Sequence, residues 1–234
     1  MFRPATLLTL LLLLGPPAAA AQEAETVVLL HGLIRSPSSM GRMERALQEA
    51  GYRTCNIGYP SRRHRIEVLA DEYVLPEIRR CVGDGKAHFV THSMGGILVR
   101  YLADQGELPN AGRVVMLGPP NRGSEVVDAI GDGGLFELVN GPAGRQLGTD
   151  STSVPPHLGP APFELGVIAG TRSINWINSW VIDGPDDGKV AVERTRVDGM
   201  SDFLVVPSTH TFMMRNRGVI RQTITFLREG RFAR

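Results

Sequence analysis

Short runs of apolar and β-branched residues alternate along the chain with longer amphipathic stretches. The apolar runs cover residues 26–30, 52–57, 87–90, 113–117, 165–169 and 203–206. Continuous apolar runs of this length are typical of strands buried on both faces of a parallel sheet. The helix-compatible stretches cover residues 40–50, 66–81, 95–105 and 213–228. This alternation predicts one α/β domain, with a mostly parallel sheet of about six strands and helices on both faces.

One stretch interrupts this alternation. Residues 121–162 contain many glycines and prolines, and only residues 125–130 and 135–139 have a helical pattern. A connection of this length in a compact domain is usually functional or mobile. Two interpretations stay open: a surface excursion whose apolar residues join the core, or a small cap whose apolar residues line an acyl-binding groove. The residues in question are Val126, Val127, Ile130, Leu135, Phe136, Leu138 and Val139.

The N-terminus has the pattern of a signal peptide. Arg3 precedes an apolar run over residues 5–14, a Gly-Pro-Pro break follows at residues 15–17, and four alanines end at Ala21. A membrane span needs about 20 apolar residues, so the run is too short to anchor the mature chain. We expect residues 1–21 to be removed on export to the periplasm or the medium, leaving one domain over residues 22–234.

The charge balance and the cysteines argue against two kinds of function, which are nucleic-acid binding and zinc or thioredoxin-like chemistry. The chain has 25 Lys+Arg against 24 Asp+Glu, and a net charge of +1 without a basic patch argues against a nucleic-acid partner. Its two cysteines, Cys55 and Cys81, lack the spacing of a zinc or thioredoxin-like site. Cys55 is expected on a strand and Cys81 at the end of the next helix. In an exported chain the two cysteines could form a disulfide, but the sequence does not decide whether they do.

The strongest chemical motif is Thr91-His92-Ser93-Met94-Gly95-Gly96. It directly follows the apolar run 87–90 and opens the helical stretch 95–105. This strand–turn–helix context is that of a nucleophile elbow, in which a strained turn projects a serine hydroxyl from the sheet edge. Thr91 stands where the usual G-x-S-x-G pattern has its first glycine. The sequence therefore predicts Ser93 as a nucleophile.

A second motif, His31-Gly32-Leu33, ends the first apolar run. Acyl transfer by a serine needs two N–H donors for the oxyanion that develops on the carbonyl. In an elbow architecture one donor is the residue after the nucleophile, which is Met94, and the other comes from the loop after the first strand. We expect Leu33 to supply that second donor, although a local turn at Ser36 would explain Gly32 equally well.

These motifs together resemble the α/β-hydrolase superfamily, and within it the small secreted bacterial lipases and esterases. The resemblance covers essentially the whole mature chain. It is carried, in chain order, by His31-Gly32, the elbow at residues 91–96, Pro120-Asn121-Arg122-Gly123-Ser124, Asp186-Asp187-Gly188-Lys189-Val190 and Thr209-His210. The elbow is the most specific of these motifs and the His-Gly pair the least.

The general base is expected to be His210, one of six histidines. It follows the last apolar run closely, and a loop leaving the carboxyl end of that strand would place its imidazole at the edge that carries Ser93. The other five fall in the two motifs, inside a strand, in an arginine-rich segment and in the irregular stretch.

The acid should lie between serine and histidine, since α/β-hydrolases have the chain order Ser…Asp/Glu…His. In the similar bacterial lipases the acid precedes a glycine and a short apolar continuation, which Asp187-Gly188-Lys189-Val190 matches. Asp187 is therefore preferred, and Asp186 stays an alternative because one residue of slip exchanges them. In this arrangement the first and third strands should be neighbours, with Leu33 beside Ser93.

The resemblance implies a serine hydrolase that cleaves carboxylic esters of small molecules or lipids through an acyl-enzyme. A thioesterase or lipid deacylase would use the same triad, and an inactive binding protein with this fold is the non-enzymatic alternative. No cofactor or catalytic metal is expected, because the sequence has no His-Glu-x-x-His, phosphate-binding or dinucleotide motif. Acyl-chain preference and oligomeric state are left open.

Overall fold

The computed structural model describes residues 24–83, 85–130, 134–174 and 179–234. A single sheet of six strands, all of them paired in parallel, has the order β2-β1-β3-β4-β5-β6. The strands are β1 (Thr26–Leu30), β2 (Arg53–Ile57), β3 (Ala87–His92), β4 (Ala111–Leu117), β5 (Leu165–Gly170) and β6 (Met200–Val206). The predicted α/β fold class with a parallel sheet is confirmed.

Helices follow the strands and cover both faces of the sheet. They are α1 (Gly41–Glu49), α2 (Ile66–Val68), α3 (Leu75–Val82), α4 (Met94–Asp104), α5 (Glu125–Ile130), α6 (Gly134–Arg145) and α7 (Arg217–Glu229). The buried side chains form one large core cluster on each face. Val28 and Leu30 of β1 point into one cluster and Val27 and Leu29 into the other, as the alternation of side chains along a strand requires.

The prediction that each strand is buried on both faces is correct for the inner strands and wrong for the two outer strands. β1, β3 and β5 are buried throughout, whereas β2 and β6 contain exposed and half-buried positions. β2 and β6 each have a neighbour on one side only and lie at the margin of the helix layers. Their apolar runs therefore identify them as strands without revealing that they are edges.

Local helix geometry also differs from the prediction. The stretch 66–81 is helical throughout, but a π-helical segment, Leu69–Val74, separates α2 from α3, just before Pro76, which has no N–H to donate. The predicted helical stretch 213–228 begins inside a 3₁₀ segment, His210–Arg215. α7 starts only after Asn216, whose side chain accepts hydrogen bonds from the first N–H groups of α7.

The irregular stretch is more helical than expected. α6 is longer than the predicted piece 135–139 and is kinked at Gly141, which has a φ of 70°. A short 3₁₀ turn, Pro155–His157, follows before β5.

Three further expectations concern crosslinks and termini. Cys55 on β2 and Cys81 in α3 form a disulfide, which decides the pairing that the sequence left open. The signal peptide expected over residues 1–21 lies outside the described residues. Among the helices that the structure describes, none is both long and apolar enough to cross a membrane.

β1 and β3 are hydrogen-bonded neighbours, as the sequence predicted, with Leu30 paired to Thr91. β2 lies on one side of β1 and β3 on the other, so the direction of winding reverses at β1. Ligands of open α/β sheets bind at such a switch point, outside the carboxyl ends of the strands. The loops after β1 and β3 meet there, and they contain Leu33 and Ser93.

Candidate active site

Ser93 occupies a strained turn between β3 and α4. Its φ of 51° and ψ of −122° are unfavourable for a residue with a side chain, and such geometry costs on the order of 1–3 kcal/mol. The Ser93 N–H donates to Leu117 O (2.9 Å), and its carbonyl accepts from Gly96 N–H (2.9 Å). These backbone bonds hold the turn without using the hydroxyl.

The glycines after Ser93 let α4 pack closely under the turn. A Cβ on Gly95 would lie 2.7 Å from Leu30 O, a backbone atom that cannot move aside. A Cβ on Gly96 would lie 3.2 Å from Oγ1 of Thr91. Thr91 itself is fully buried. Gly96 therefore leaves the space that the Thr91 side chain fills, and the departure from G-x-S-x-G is accommodated inside the elbow.

Ser93, His210 and Asp187 lie together at the carboxyl edge of the sheet. His210 Nε2 is 3.0 Å from Ser93 Oγ, and His210 Nδ1 is 2.8 Å from Asp187 Oδ2. When Nδ1–H donates to the carboxylate, Nε2 is left to accept the Ser93 hydroxyl proton. All three residues are buried.

The backbone around Asp187 fixes its carboxylate. Oδ1 accepts hydrogen bonds from the N–H groups of Lys189 (3.0 Å) and Val190 (2.9 Å), which leaves Oδ2 for the imidazole. The Asp187 carbonyl accepts from His210 N–H (3.0 Å), so the two residues are joined through both main chain and side chain. Asp186 instead accepts from Gly188 N–H and from the Ser179 hydroxyl. The structure thus brings Asp187, and not Asp186, to His210.

Gly118, at the end of β4, makes room for this pair. Its φ is +54°, and a Cβ there would lie 3.0 Å from Asp187 Oδ2 and 3.2 Å from His210 Nδ1. Sequence reasoning missed this residue. The Gly-Pro-Pro that follows the fourth apolar run was the available signal for a special turn.

The loop after β1 packs against Ser93, the candidate nucleophile. A Cβ on Gly32 would lie 3.1 Å from the Ser93 Cβ. Met94 begins α4, so its N–H lies at the positive end of the helix dipole. In the part of the chain that the structure describes, neither the Leu33 N–H nor the Met94 N–H donates to another protein group. Both donors are therefore available to a ligand.

Two residues that sequence reasoning missed shape this loop. The Tyr59 ring stacks on His31 at 4.1 Å, and the Tyr59 hydroxyl donates to the His31 carbonyl. The Ser61 hydroxyl accepts from the N–H of Ile34, a residue held at a φ of 58°. Burial lowers the pKa of His31, although its bond to the Gly32 carbonyl opposes the shift.

His92 is a further buried histidine, next to the candidate nucleophile Ser93. Its Nε2–H donates to the His210 carbonyl (3.0 Å), which helps to fix the backbone of the candidate base. Burial, followed by repulsion from neighbouring His210, holds the pKa of His92 well below its usual value. The imidazole is therefore neutral. Its position next to Ser93 in the elbow was noted in the sequence, but its contact with His210 was not foreseen.

A cavity of about 230 Å³ opens beside Ser93 and His210. Leu33, Val126, Val127 and Leu147 form much of its apolar wall. Leu147 belongs to the large core cluster and Val127 packs against it, while Val126 belongs to a small separate cluster. Val127 thus packs against the core and also lines the cavity, whereas acyl binding by this stretch stays a prediction.

The other apolar residues predicted to matter within residues 121–162 differ from these in how exposed their side chains are. Leu138 is 77% exposed and Val139 44% exposed, so these two side chains are neither core nor groove. The side chains of Ile130, Leu135 and Phe136 lie outside the described residues.

Comparison with solved structures identifies similar folds. The lipase BlEst2 of Bacillus licheniformis in its propeptide form matches with a TM-score of 0.70 and 21% identity, over 90% of this chain and 52% of that chain. Its mature form matches with a TM-score of 0.64 and 20% identity, over 91% and 93%. The chain thus spans about half the length of the propeptide form. No protein-family model matches the chain, and no curated protein matches its sequence.

Two other enzymes show the same likeness. Phospholipase PlaB of Legionella pneumophila matches with a TM-score of 0.67 and 15% identity, over 89% of this chain and 60% of that chain. A metagenomic carboxyl esterase, MGS0156, matches with a TM-score of 0.64 and 18% identity, over 83% and 67%. With its parallel sheet, the chain therefore has the α/β-hydrolase fold that the resemblance implied. Its structural neighbours include bacterial lipases and esterases.

Proposed function

We propose that this protein is a serine hydrolase that cleaves carboxylic esters. The observation that carries the proposal is the continuous hydrogen-bonded chain from Ser93 Oγ through His210 to Asp187, with distances of 3.0 and 2.8 Å. The apolar cavity beside Ser93 suits the acyl part of an ester. The lipases, esterases and phospholipase among the structural neighbours support the same reaction class.

In the proposed mechanism, Ser93 Oγ attacks the ester carbonyl carbon while His210 Nε2 removes the hydroxyl proton. Asp187 holds the imidazole in the required tautomer and stabilises the imidazolium that forms. The N–H groups of Leu33 and Met94 donate to the oxyanion of the tetrahedral intermediate.

Collapse of this intermediate breaks the bond to the alcohol, which leaves with the proton from His210. A water molecule, deprotonated by His210, then attacks the acyl carbonyl carbon. The bond to Ser93 Oγ breaks, His210 returns the proton to that oxygen, and the acid is released.

The test is Ser93→Ala, measured on the mature protein with p-nitrophenyl esters from acetate upwards and with a fluorophosphonate probe. Turnover and labelling should fall to background, whereas the melting temperature should change little because backbone bonds hold the elbow. Ser39→Ala is the matched control: the hydroxyl of this buried serine donates to the Ser36 carbonyl, and Ser39 is far along the chain from the three triad residues. Wild-type protein that hydrolyses no ester, or Ser93→Ala that keeps more than a few per cent of the turnover, contradicts the proposal.

We also propose that the chain is exported with loss of residues 1–21. The Cys55–Cys81 disulfide supports this, because such crosslinks persist in oxidising compartments. N-terminal sequencing of the protein recovered from periplasm or medium should find Gln22 first. A protein that retains Met1 and stays inside the cell would refute the proposal.

A further inference from the structure

Two basic side chains line the cavity beside the candidate nucleophile. Arg35 comes from the loop after β1, two residues beyond Leu33, and Lys189 comes from the loop of the acid, two residues beyond Asp187. The chain has only one other lysine, Lys86. The two cations thus reach the cavity from the two loops that carry the proposed oxyanion donor and the proposed acid.

Within the described residues, no carboxylate neutralises either cation. Among the residues that the structure describes, no ion pair or side-chain hydrogen bond engages the Arg35 guanidinium or the Lys189 ammonium. The described residues that line the cavity include no Asp or Glu. Asp187 lies behind the imidazole with both oxygens engaged, so it does not cap either cation.

The backbone of Lys189 is held in place relative to the reacting groups. Its N–H donates to Asp187 Oδ1, and its carbonyl accepts from the Ser124 hydroxyl at 2.8 Å. Desolvation and then repulsion from Arg35 lower the pKa of Lys189, while Asp187 opposes the shift. Two like charges that repel each other at a cavity wall favour an anion between them.

We propose that Arg35 and Lys189 form an anion subsite that selects esters with a carboxylate or phosphate group near the scissile bond. This inference rests on the proposed function, because it names the substrate class of the same site. The shared chemistry is a fixed negative charge a few bonds from the ester carbonyl, on either the acyl or the alcohol side. The apolar wall takes the intervening carbon chain.

The kinetic test compares matched anionic and neutral esters. Monoethyl adipate against ethyl hexanoate places a carboxylate at the end of the acyl chain. Butanoylglycerol phosphate against butanoylglycerol places a phosphate on the alcohol. In wild type, the ratio of kcat/KM for the anionic ester to that for the neutral ester should exceed one in at least one pair. The pair in which it does shows whether the subsite takes an anion on the acyl chain or on the alcohol. A ratio below one in both pairs overturns the proposal.

Charge-removing variants assign the selectivity to these residues. In the double variant Arg35→Gln and Lys189→Gln the ratio should fall about tenfold, and salt should lower the wild-type ratio because part of each charge is solvated. Lys189→Glu should lower the ratio further by reversing the charge. Lys86→Gln and Arg42→Gln are the matched controls, and the ratio should stay unchanged in both. An unchanged ratio in the double variant overturns the proposal.

A binding measurement keeps this result separate from the proposed function. Monoethyl adipate should bind Ser93→Ala in calorimetry more tightly than ethyl hexanoate, and adding Arg35→Gln and Lys189→Gln should remove the difference. If esters are hydrolysed but the anionic group raises neither the rate nor the affinity, the proposed anion subsite is wrong and the proposed hydrolase function is unaffected. If the anion binds through these cations but no ester is cleaved, the proposed function is wrong and the anion site stands.

Discussion

At the scale of single residues, the motifs predicted which side chains should meet, but not how the backbone chooses between neighbours. Ser93 and His210 follow from the turn after the third strand and the loop after the last. Asp186 and Asp187 are adjacent in sequence. Both lie closely enough before a glycine and an apolar residue to match the pattern of the acid in the similar lipases. The choice depends on the turn, in which the Lys189 and Val190 N–H groups hold Asp187 toward the imidazole. A pattern of residue types does not contain that geometry.

Asparagine substitutions test the choice of acid. Asp187→Asn leaves the size of the side chain unchanged but favours the wrong imidazole tautomer, so kcat should fall by about 10²–10⁴. Asp186→Asn is the matched control, because its carboxylate bonds Gly188 and Ser179 and not His210; kcat should stay within about tenfold. The p-nitrophenyl acetate rate and the melting temperature are measured for both. A larger loss in Asp186→Asn would transfer the role to Asp186.

At the scale of elements, hydrophobic patterning predicted all six strands, because burial inside a parallel sheet leaves a continuous apolar run. It did not predict the contacts that shape the loops between them. Tyr59 and Ser61 contact His31 and Ile34 across 28 and 27 residues of sequence. Such contacts depend on the β1–β2 adjacency and not on any local pattern. The same holds for Gly118, whose role requires the fourth strand and the last loop to meet.

The disulfide joins two elements and should act on stability alone. Cys55 and Cys81 are 26 residues apart, and closing a loop of this size in the unfolded chain stabilises the fold by about 3.5 kcal/mol. The double variant Cys55→Ser and Cys81→Ser should lose that amount in urea unfolding and keep its kcat, because no described residue of β2 lines the cavity. Reductant should destabilise wild type and leave the double variant unaffected. A fall in kcat at a temperature where the variant is folded would contradict this.

The segment that contains α5 and α6 should determine acyl length. Val127 faces the cavity while packing against the core, so Val127→Phe would fill part of the acyl space. We expect kcat/KM for p-nitrophenyl octanoate to fall at least tenfold and that for the acetate to change less than threefold. Val205→Phe, on the outer strand β6 where the side chain is 45% exposed, is the control. Equal losses for both esters, with a lower melting temperature, would instead favour a purely structural role.

At the scale of the whole molecule, three described histidines besides His210 are buried in or beside β1 and β3. His31, His88 and His92 are 0%, 4% and 2% exposed. For each of these histidines, desolvation by burial is the largest effect that lowers the pKa below the ordinary value of 6.5. The sequence located these histidines in or beside strands, but their protonation depends on how completely the two helix layers cover the sheet.

Acidification should therefore weaken the fold before the carboxylates titrate. A histidine whose pKa is lower in the folded state binds its proton more readily when unfolded, so its contribution to stability is intact above pH 6.5 and is lost as the pH falls through that value. Each such histidine can cost about 1.4 kcal/mol per pH unit within its window. Urea unfolding at pH 7.5 and 5.5 should thus show a marked fall in the free energy of unfolding. His92→Gln, whose amide can still donate to the His210 carbonyl, should reduce that fall, whereas the surface control His157→Gln should not. Equal stability of wild type at both pH values would mean that these imidazoles take up protons in the folded protein as readily as in the unfolded chain, which would contradict the lowered pKa values.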